Sequence, residues 1–248
     1  MGLLNSLSLF VKRLSQIRWF YLIRKNVVRV SQDSLLSIEK GSKIKSSSII
    51  LDNNSSLIIH RGAILDSITI YLNEATLEIG EHSFFIKENN YLRPAIIIDH
   101  GIMHVGNHSK LSPRRIWIRW GGELTIGNYT NINTHSEIRA DEKIHIGSYC
   151  QISYNVIIWD TNTHCIYPKE KRKELAIKHF PYFGFEEEKP KTSPVFIGDN
   201  CWLGERSSIL KGVILENNVI VGYNTSLSSC KVETNKTVVS ELNNRILG

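Results

Sequence analysis

His164 is the residue of this sequence whose type and position best suit chemistry. It stands in the segment "IIWDTNTHCIYP", where a regular aliphatic repeat stops. An imidazole with an ordinary pKa of ~6.5 can act as a general base near neutral pH, for instance by taking a proton from a hydroxyl group as its oxygen attacks a thioester. Asp160 lies four residues upstream and can orient the imidazole. The chain has nine histidines, so the alternative that His164 merely begins a loop stays open at this point.

A six-residue repeat between 197 and 227 must position any such site. Aliphatic residues recur at every sixth position, and a small or β-branched residue follows the first five of them by four places. This period fits neither an amphipathic helix nor a two-faced strand, but it fits a parallel β-helix in which three hexapeptides close one coil. The residues predicted to point inwards are Ile197, Leu203, Ile209, Leu215, Val221 and Leu227, and those predicted at the corners are Cys201, Ser207, Val213, Val219 and Thr225. A looser form of the rhythm begins near Ile38 and includes Ile44 and Ile50.

The residues between 164 and 193 exceed what the coils can absorb. Gly147 and Gly198 occupy the same place in two similar phrases, "IHIGSYCQI" and "VFIGDNCWL", but they are 51 residues apart, whereas a coil of three hexapeptides needs about 18. The surplus contains a basic run, a cluster of four aromatic residues between 180 and 185, and an acidic run. It predicts a protruding loop, and a loop of this length inside a compact domain is usually functional.

The repeat also resembles a known family. The stretch "VFIGDNCWLGERSSILKGVILENNVIVGYNTSLSS" is similar to the hexapeptide-repeat acyltransferases, and "SYCQISYNVIIWDTNTHCIY" resembles the segment that carries the catalytic histidine in the maltose, galactoside and capsular-polysaccharide O-acetyltransferases. The family's Ile-Gly-x-x-x-Trp-φ-Gly phrase is matched from Ile197 to Gly204. The resemblance, and not the periodicity, implies a left-handed helix. We therefore expect an all-β, left-handed parallel β-helix over residues 31–248, with an α-helix before it and a loop insertion at about 164–193.

The resemblance implies roles for particular residues. His164 matches the catalytic base and Asp160 its partner, while Asn131 and Asn133 match the place of an asparagine near the acceptor and the developing oxyanion. From the residues alone, a ladder of asparagines at solenoid turns explains Asn131 and Asn133 equally well. The positions that match acetyl-CoA contacts are Trp202, Glu205, Tyr223, Ser228, Ser229, Lys231 and Arg245. The Gly-x-Pro-containing tail that usually precedes the last of these is absent here.

Residues 1–30 are predicted to form a basic amphipathic helix. Aliphatic residues share one face at helical spacing, and six basic residues but no acidic residue precede Asp33. Such a helix can lie on an anionic membrane surface or cap the open end of the β-helix, and the sequence leaves both open. Beyond it, 24 basic residues balance 24 acidic ones, which argues against a nucleic-acid-binding body. No apolar run reaches the ~18 residues of a membrane span, so we expect a cytoplasmic protein with peripheral contact at the inner face of the membrane.

Together these patterns favour an acetyl-CoA-dependent O-acetyltransferase that acts on a sugar hydroxyl of a glycan or surface-polysaccharide precursor, and the resemblance implies a homotrimer. An amino-sugar N-acetyltransferase and a non-catalytic β-helix scaffold remain as alternatives. His100, His104 and His108 are spaced by four, which would gather zinc ligands on a helix but not on the coils of a solenoid. We therefore expect no metal site.

Overall fold

The computed structural model of this chain describes residues 25–88, 92–182, 184 and 186–241. The backbone winds in successive three-sided coils, and the 24 strands of the described part pair in parallel with strands of neighbouring coils. The only helix within these residues is α1 (Lys169–Lys178). The fold is a left-handed parallel β-helix, as predicted.

Two of the three sides share long strands. The first side contains β1 (Val27–Val30), β4 (Ser48–Asp52), the first halves of β7 (Thr69–Ile79), β9 (Ala95–Val105) and β11 (Arg115–Ile126), then β13 (Glu137–Ala140), β16 (Ile157–Trp159), β19 (Ser208–Leu210) and β22 (Ser226–Leu227). The second side contains β2 (Leu35–Ile38), β5 (Ser56–Ile59), the second halves of β7, β9 and β11, then β14 (Lys143–Ile146), β17 (Val195–Ile197), β20 (Ile214–Leu215) and β23 (Lys231–Val232).

The third side is a separate nine-stranded sheet. It contains β3 (Lys43–Lys45), β6 (Ile64–Asp66), β8 (Phe84–Ile86), β10 (Lys110–Leu111), β12 (Asn131–Ile132), β15 (Gln151–Ile152), β18 (Trp202–Leu203), β21 (Ile220–Val221) and β24 (Thr237–Val238). In a three-sided coil, this third side lies opposite the corner that joins the first side to the second.

Aliphatic side chains fill the inside of the prism. The first five of the inward positions predicted between 197 and 227 are fully buried, as are the five small corner residues, and Leu227 is partly buried near the end of the described coils. Burial of each inward Ile, Leu or Val side chain contributes roughly 1.5–3 kcal/mol. Since side chains occupy the interior, any chemistry takes place on the outer surface.

The earlier coils are longer than three hexapeptides. In β7, β9 and β11 one strand continues across the corner between the first and second sides, with Glu74, His100 and Trp120 at positive φ. The additional residues shift the inward positions. Thus Ile50, predicted to keep the six-residue rhythm, faces outwards, and Ile49 and Leu51 are buried instead.

The predicted N-terminal helix requires a correction at its end. Residues 27–30 form β1, which pairs with Ser48–Leu51 of the next coil. Three of these four residues are valines, and β-branched side chains favour a strand with a partner over a helix end. The remainder of the predicted helix, residues 1–24, lies outside the described residues.

Candidate active site

The surplus segment leaves the prism at the corner between the first and second sides. It runs from Asp160, after β16, to Pro194, before β17, and we call it the excursion. Its two ends are joined by an antiparallel bridge between Thr161 and Thr192 and by two backbone hydrogen bonds, from Asn162 N to Lys191 O (2.9 Å) and from Ser193 N to the carbonyl oxygen of Asp160 (2.9 Å). The excursion is therefore a closed protrusion with α1 within it. The protruding segment was predicted, but this helix was not.

His164 lies near the start of the excursion with its side chain 55% exposed. Its Nδ1 is 2.8 Å from Oε1 of Glu186, a carboxylate whose side chain is only 3% exposed. An ionised carboxylate only accepts hydrogen bonds, so Nδ1 carries the proton and donates it to Glu186. The neutral ring therefore presents the unprotonated Nε2 as a base.

Glu186 stays ionised because several donors surround it. Burial raises its pKa, but hydrogen bonds from the backbone N–H of Cys165 (2.9 Å to Oε2), from His164 and from Arg172 (3.2 Å to Oε1) outweigh burial and hold the pKa below its usual value. Glu186 was not among the site residues predicted from the sequence. The acidic run at 186–188 marked the segment, but nothing in the sequence distinguished the buried glutamate from its exposed neighbours.

The helix α1 supplies Arg172, one of the three donors to Glu186. Arg172 also donates from Nη2 to the carbonyl oxygen of Cys165 (3.0 Å), and its guanidinium lies 4.9 Å from the ring centroid of Tyr167. The Tyr167 hydroxyl in turn accepts from the backbone N–H groups of Glu187 (3.1 Å) and Glu188 (3.3 Å). The helix thus ties the outgoing and returning arms of the excursion together around the His164–Glu186 pair. The run "KEKRKELAIK" is rich in good helix formers, so its composition was a usable signal.

Asp160 does not orient His164, contrary to the prediction. Its two carboxylate oxygens accept the backbone N–H groups of Asp141 and Glu142, both at 2.8 Å, and the residue is fully buried. Burial raises the pKa of Asp160 to about 6, although these two bonds favour its charged form. The residue instead joins the corner of its own coil to the corner of the preceding coil.

A second buried carboxylate supports the start of the excursion. Asp141 accepts two hydrogen bonds from Arg119, from Nε at 2.9 Å and from Nη2 at 2.7 Å, and one from the Thr161 hydroxyl at 2.7 Å. Arg119 also donates to the carbonyl oxygen of Thr163 (3.3 Å), the residue before His164. Charged groups at fixed positions therefore hold the backbone that carries the base.

The asparagines predicted near the oxyanion lie elsewhere in this chain. Asn131 and Asn133 face outwards on the third side, opposite the corner from which His164 emerges, and Asn131 donates to Asn133 at 3.2 Å. A single chain does not bring them to His164.

The predicted acetyl-CoA contacts are likewise spread around the coil. Trp202 is exposed on the third side, and Glu205 and Tyr223 lie at the corner between the third and first sides. Ser228 and Ser229 lie at the corner between the first and second sides. Lys231 is on the second side, where Glu216 binds it at 2.6 Å and raises its pKa. Arg245 lies outside the described residues.

The described residues contain no group of three or more His, Cys, Asp and Glu side chains close enough to hold a metal ion. The three histidines spaced by four have separate neighbours: His100 contacts Asp99 and Glu74, His104 contacts Glu78, and His108 stacks on Tyr129. In the same part of the chain, no helix has the length and apolar character needed to cross a bilayer.

Known proteins share the repeat. A family model described as "Hexapeptide repeat of succinyl-transferase" matches residues 194–229. Two curated 2,3,4,5-tetrahydropyridine-2,6-dicarboxylate N-succinyltransferases are similar over part of their length. The protein of Wolbachia sp. subsp. Brugia malayi is 29% identical over 40% of this chain and 37% of its own. That of Methylobacillus flagellatus is 30% identical over 32% of this chain and 27% of its own, so this chain spans well under half of either relative.

A solved structure shares the fold. The polySia specific acetyltransferase NeuO has a TM-score of 0.51 and 18% identity, over 88% of this chain and 79% of that chain. The resemblance to the hexapeptide-repeat acyltransferases is thereby confirmed for the repeat and for the fold, and all three of these similar proteins are acyltransferases by name.

Proposed function

We propose that this protein is an acetyl-CoA-dependent O-acetyltransferase that acts on a sugar hydroxyl of a glycan or surface-polysaccharide precursor. The observation that carries the proposal is the His164–Glu186 pair, in which a buried, ionised carboxylate fixes the tautomer of an exposed imidazole. A hydroxyl is a weak nucleophile near neutral pH, so it needs such a base, which typically contributes about 10²- to 10⁴-fold in rate.

In the proposed reaction, Nε2 of His164 takes the proton from the sugar hydroxyl. The hydroxyl oxygen attacks the thioester carbonyl carbon, the carbon–sulfur bond breaks, and the imidazolium returns the proton to the departing thiolate of coenzyme A. Glu186 stabilises the imidazolium while it exists, because an anion lies at Nδ1. Glu186 is a positioning residue, since it acts through His164.

The oxyanion and cofactor contacts require a second copy of the chain. Asn131 lies on the side opposite His164, and the predicted acetyl-CoA contacts occupy two corners and two sides. We therefore place the site between subunits of a homotrimer, where Asn131 of one copy stabilises the oxyanion formed near His164 of another. In the cell, we place the enzyme at the inner face of the membrane, where the basic segment before β1 can contact lipid.

The test is release of free thiol from acetyl-CoA with a panel of mono- and oligosaccharide acceptors. We expect acceptor-dependent release by the wild type and a loss of at least ~100-fold in His164→Ala. The matched control is His104→Ala, because His104 is also half-exposed and its Nδ1 is also bonded to a glutamate (Glu78, 3.1 Å), but on the regular second side. Equal rates in the wild type and His164→Ala would refute the proposal.

Amine acceptors are the second candidate, because both curated relatives are N-succinyltransferases. The same panel therefore includes amino sugars, and succinyl-CoA is tested beside acetyl-CoA. Faster transfer to amino sugars than to their hydroxyl counterparts would assign the chain to N-acylation.

A further inference from the structure

A cleft of about 380 Å³ opens on the first side of the β-helix, beside the coil that leads into the excursion. Its volume is at the lower end of the ~300–1,000 Å³ typical of small-molecule sites. Three successive coils form it, because Arg115, Glu137 and Ile157 are paired in register across β11, β13 and β16. The lining includes Arg114, Arg115, Glu137, Arg139, Ile157 and Trp159.

The cleft has more positive charge and more hydrogen-bond donors than it can satisfy internally. Arg115 and Arg139 share the single carboxylate of Glu137, which lies 3.1 Å from Nη2 of Arg115 and in close contact with Nε of Arg139. The exposed side chain of Arg114 has no acceptor within the described part of the chain. Two buried N–H groups, Nε of Arg115 and Nε1 of Trp159, also lack one there. An anion is the ligand that balances this set.

Indole rings hold the guanidinium groups in place. The guanidinium of Arg139 lies 4.4 Å from the ring centroid of Trp159 and 5.5 Å from that of Trp117, and the guanidinium of Arg115 lies 5.1 Å from Trp117. A stacked arginine loses little conformational freedom on binding, and its planar fork matches a carboxylate in two-point contact. The cleft is therefore organised before any ligand arrives.

The stacked arginine and tryptophan side chains continue from the cleft towards His164. Trp117 lies 4.3 Å from the guanidinium of Arg119, which binds the carbonyl oxygen of Thr163 directly before His164. Packed side chains thus connect the cleft to the start of the excursion. A saccharide held in the cleft by one unit can extend its next unit along the first side towards this corner.

We infer that this cleft binds a carboxylate-bearing sugar of the acceptor, with Arg114 and the stacked arginines Arg115 and Arg139 on the carboxylate, so that the enzyme acts on an acidic glycan. The inference rests on the proposed sugar acylation and specifies its substrate class. The charge is local to the cleft, because basic and acidic residues balance over the chain from residue 33 onwards. This distribution matches a discrete acidic sugar better than a nucleic acid, whose backbone needs an extended basic surface.

The test measures binding by calorimetry with tetrasaccharides of glucuronic, galacturonic and mannuronic acid, each paired with its carboxyl-reduced neutral form. We expect at least one acidic form to bind the full-length wild type at least about tenfold more tightly than its neutral partner, and this preference to weaken with salt. Arg114→Gln is the informative variant, because Arg114 is exposed and its side chain supports no other described group. We expect it to lose about tenfold in affinity, whereas Arg61→Gln, an exposed arginine at another corner, binds as the wild type does.

The inference would be overturned if no acidic tetrasaccharide bound better than its neutral form. It would also be overturned if Arg114→Gln weakened the binding of acetyl-CoA instead, which would assign the cleft to the phosphates of coenzyme A. His164→Ala separates this inference from the proposed function, since it should bind the acidic tetrasaccharide normally and transfer acyl groups at least ~100-fold more slowly. Acidic-sugar binding without acyl transfer by the wild type would refute the proposed function alone. Transfer to neutral acceptors at a rate independent of Arg114 would refute the acidic-substrate inference alone.

Discussion

The corner between the first and second sides takes two different forms in successive coils. In the later coil, residues 211–213 turn the chain directly from β19 to β20, with Gly212 at φ +75°. In the preceding coil, the chain leaves after Trp159 and returns only at Val195. Nevertheless β16 stays in register with β19, and β14 with β17. Strand pairing alone keeps neighbouring coils in register, whatever the length of the corner. A corner can therefore be lengthened at little entropic cost, and the added residues can form a site.

The long corner differs from the short one in its buried charge. The excursion contains the ionised Glu186, and Asp160 and Asp141 hold the backbone where the excursion leaves the coil. The carboxylates of all three residues are largely inaccessible to water. The short corner depends on glycine geometry and backbone hydrogen bonds. The long corner thus has a defined internal structure, and substitutions can show which of its parts support chemistry and which support folding.

The largest effect is expected from Glu186→Gln. A neutral amide can present its NH₂ group to Nδ1, which favours the wrong tautomer and removes the charge that stabilises the imidazolium. We expect kcat to fall about 10²- to 10⁴-fold, with little change in KM and a shifted pH–rate profile. The control is Glu78→Gln, which removes the carboxylate beside His104 on the regular second side. An unchanged kcat in Glu186→Gln would show that the pair is only structural.

The next largest effect is expected from Asp160→Ala, on stability. Removal of the carboxylate leaves the buried N–H group of Asp141 and the partly buried N–H group of Glu142 without an acceptor, at roughly 1–3 kcal/mol each. Urea denaturation should therefore show a loss of about 2–6 kcal/mol, and Asp160→Asn, which retains one acceptor, should lose less. Asp199→Ala is the matched control, because Asp199 also accepts a backbone N–H (Ser148, 2.7 Å) but at an exposed corner. Equal losses of stability at the two aspartates would show that Asp160 does not stabilise the start of the excursion more than an exposed corner aspartate stabilises its own corner.

A smaller effect tests how closely the excursion packs around the short corner. Gly212 and Gly121 occupy this corner in different coils, both at φ +75°, where a side chain is strained. A Cβ at Gly121 would meet nothing within 4 Å, whereas at Gly212 it would lie 3.2 Å from Oγ of Ser193, on the returning arm of the excursion, and 3.3 Å from Cα of Ser229, on the following coil. We expect Gly121→Ala to cost about 1 kcal/mol and Gly212→Ala about 2 kcal/mol in thermal or urea unfolding. Equal costs would mean that neither the excursion nor the following coil packs closely against Gly212.

The sequence predicted the structure well where a single packing requirement repeats over many residues. The period of six between Ile197 and Val221 determined the fold, because every inward position obeys the same packing requirement. In the longer coils that requirement is met by other residues, and Ile50 was therefore assigned to the wrong face. His164 could be singled out by its place at the end of the repeat. Glu186 and the arginine cleft could not, because their partners lie on other coils or on the opposite arm of the excursion and share no spacing with them.

The smallest effect is expected on the regular second side, at His60. This imidazole lies between two carboxylates, with Nδ1 2.9 Å from Glu39 and Nε2 2.7 Å from Glu78. The bond to Glu78 is the main cause that raises the pKa of His60, and it outweighs the burial that opposes it. Protonated His60 therefore stabilises the fold at pH values below its unfolded pKa of ~6.5, and this contribution is lost as the pH rises through the higher folded pKa.

The measurement is urea unfolding at pH 5.5 and 8.5 for the wild type and His60→Gln. Both glutamates are ionised throughout this range, since hydrogen bonds to His60 hold their pKa values below the usual range, so the change can be assigned to the histidine. We expect the wild type to lose up to ~1 kcal/mol more than the variant between the two pH values, because the pair is partly exposed and screened by solvent. The same pH response in both proteins would show that the charged ladder on this side does not contribute to stability.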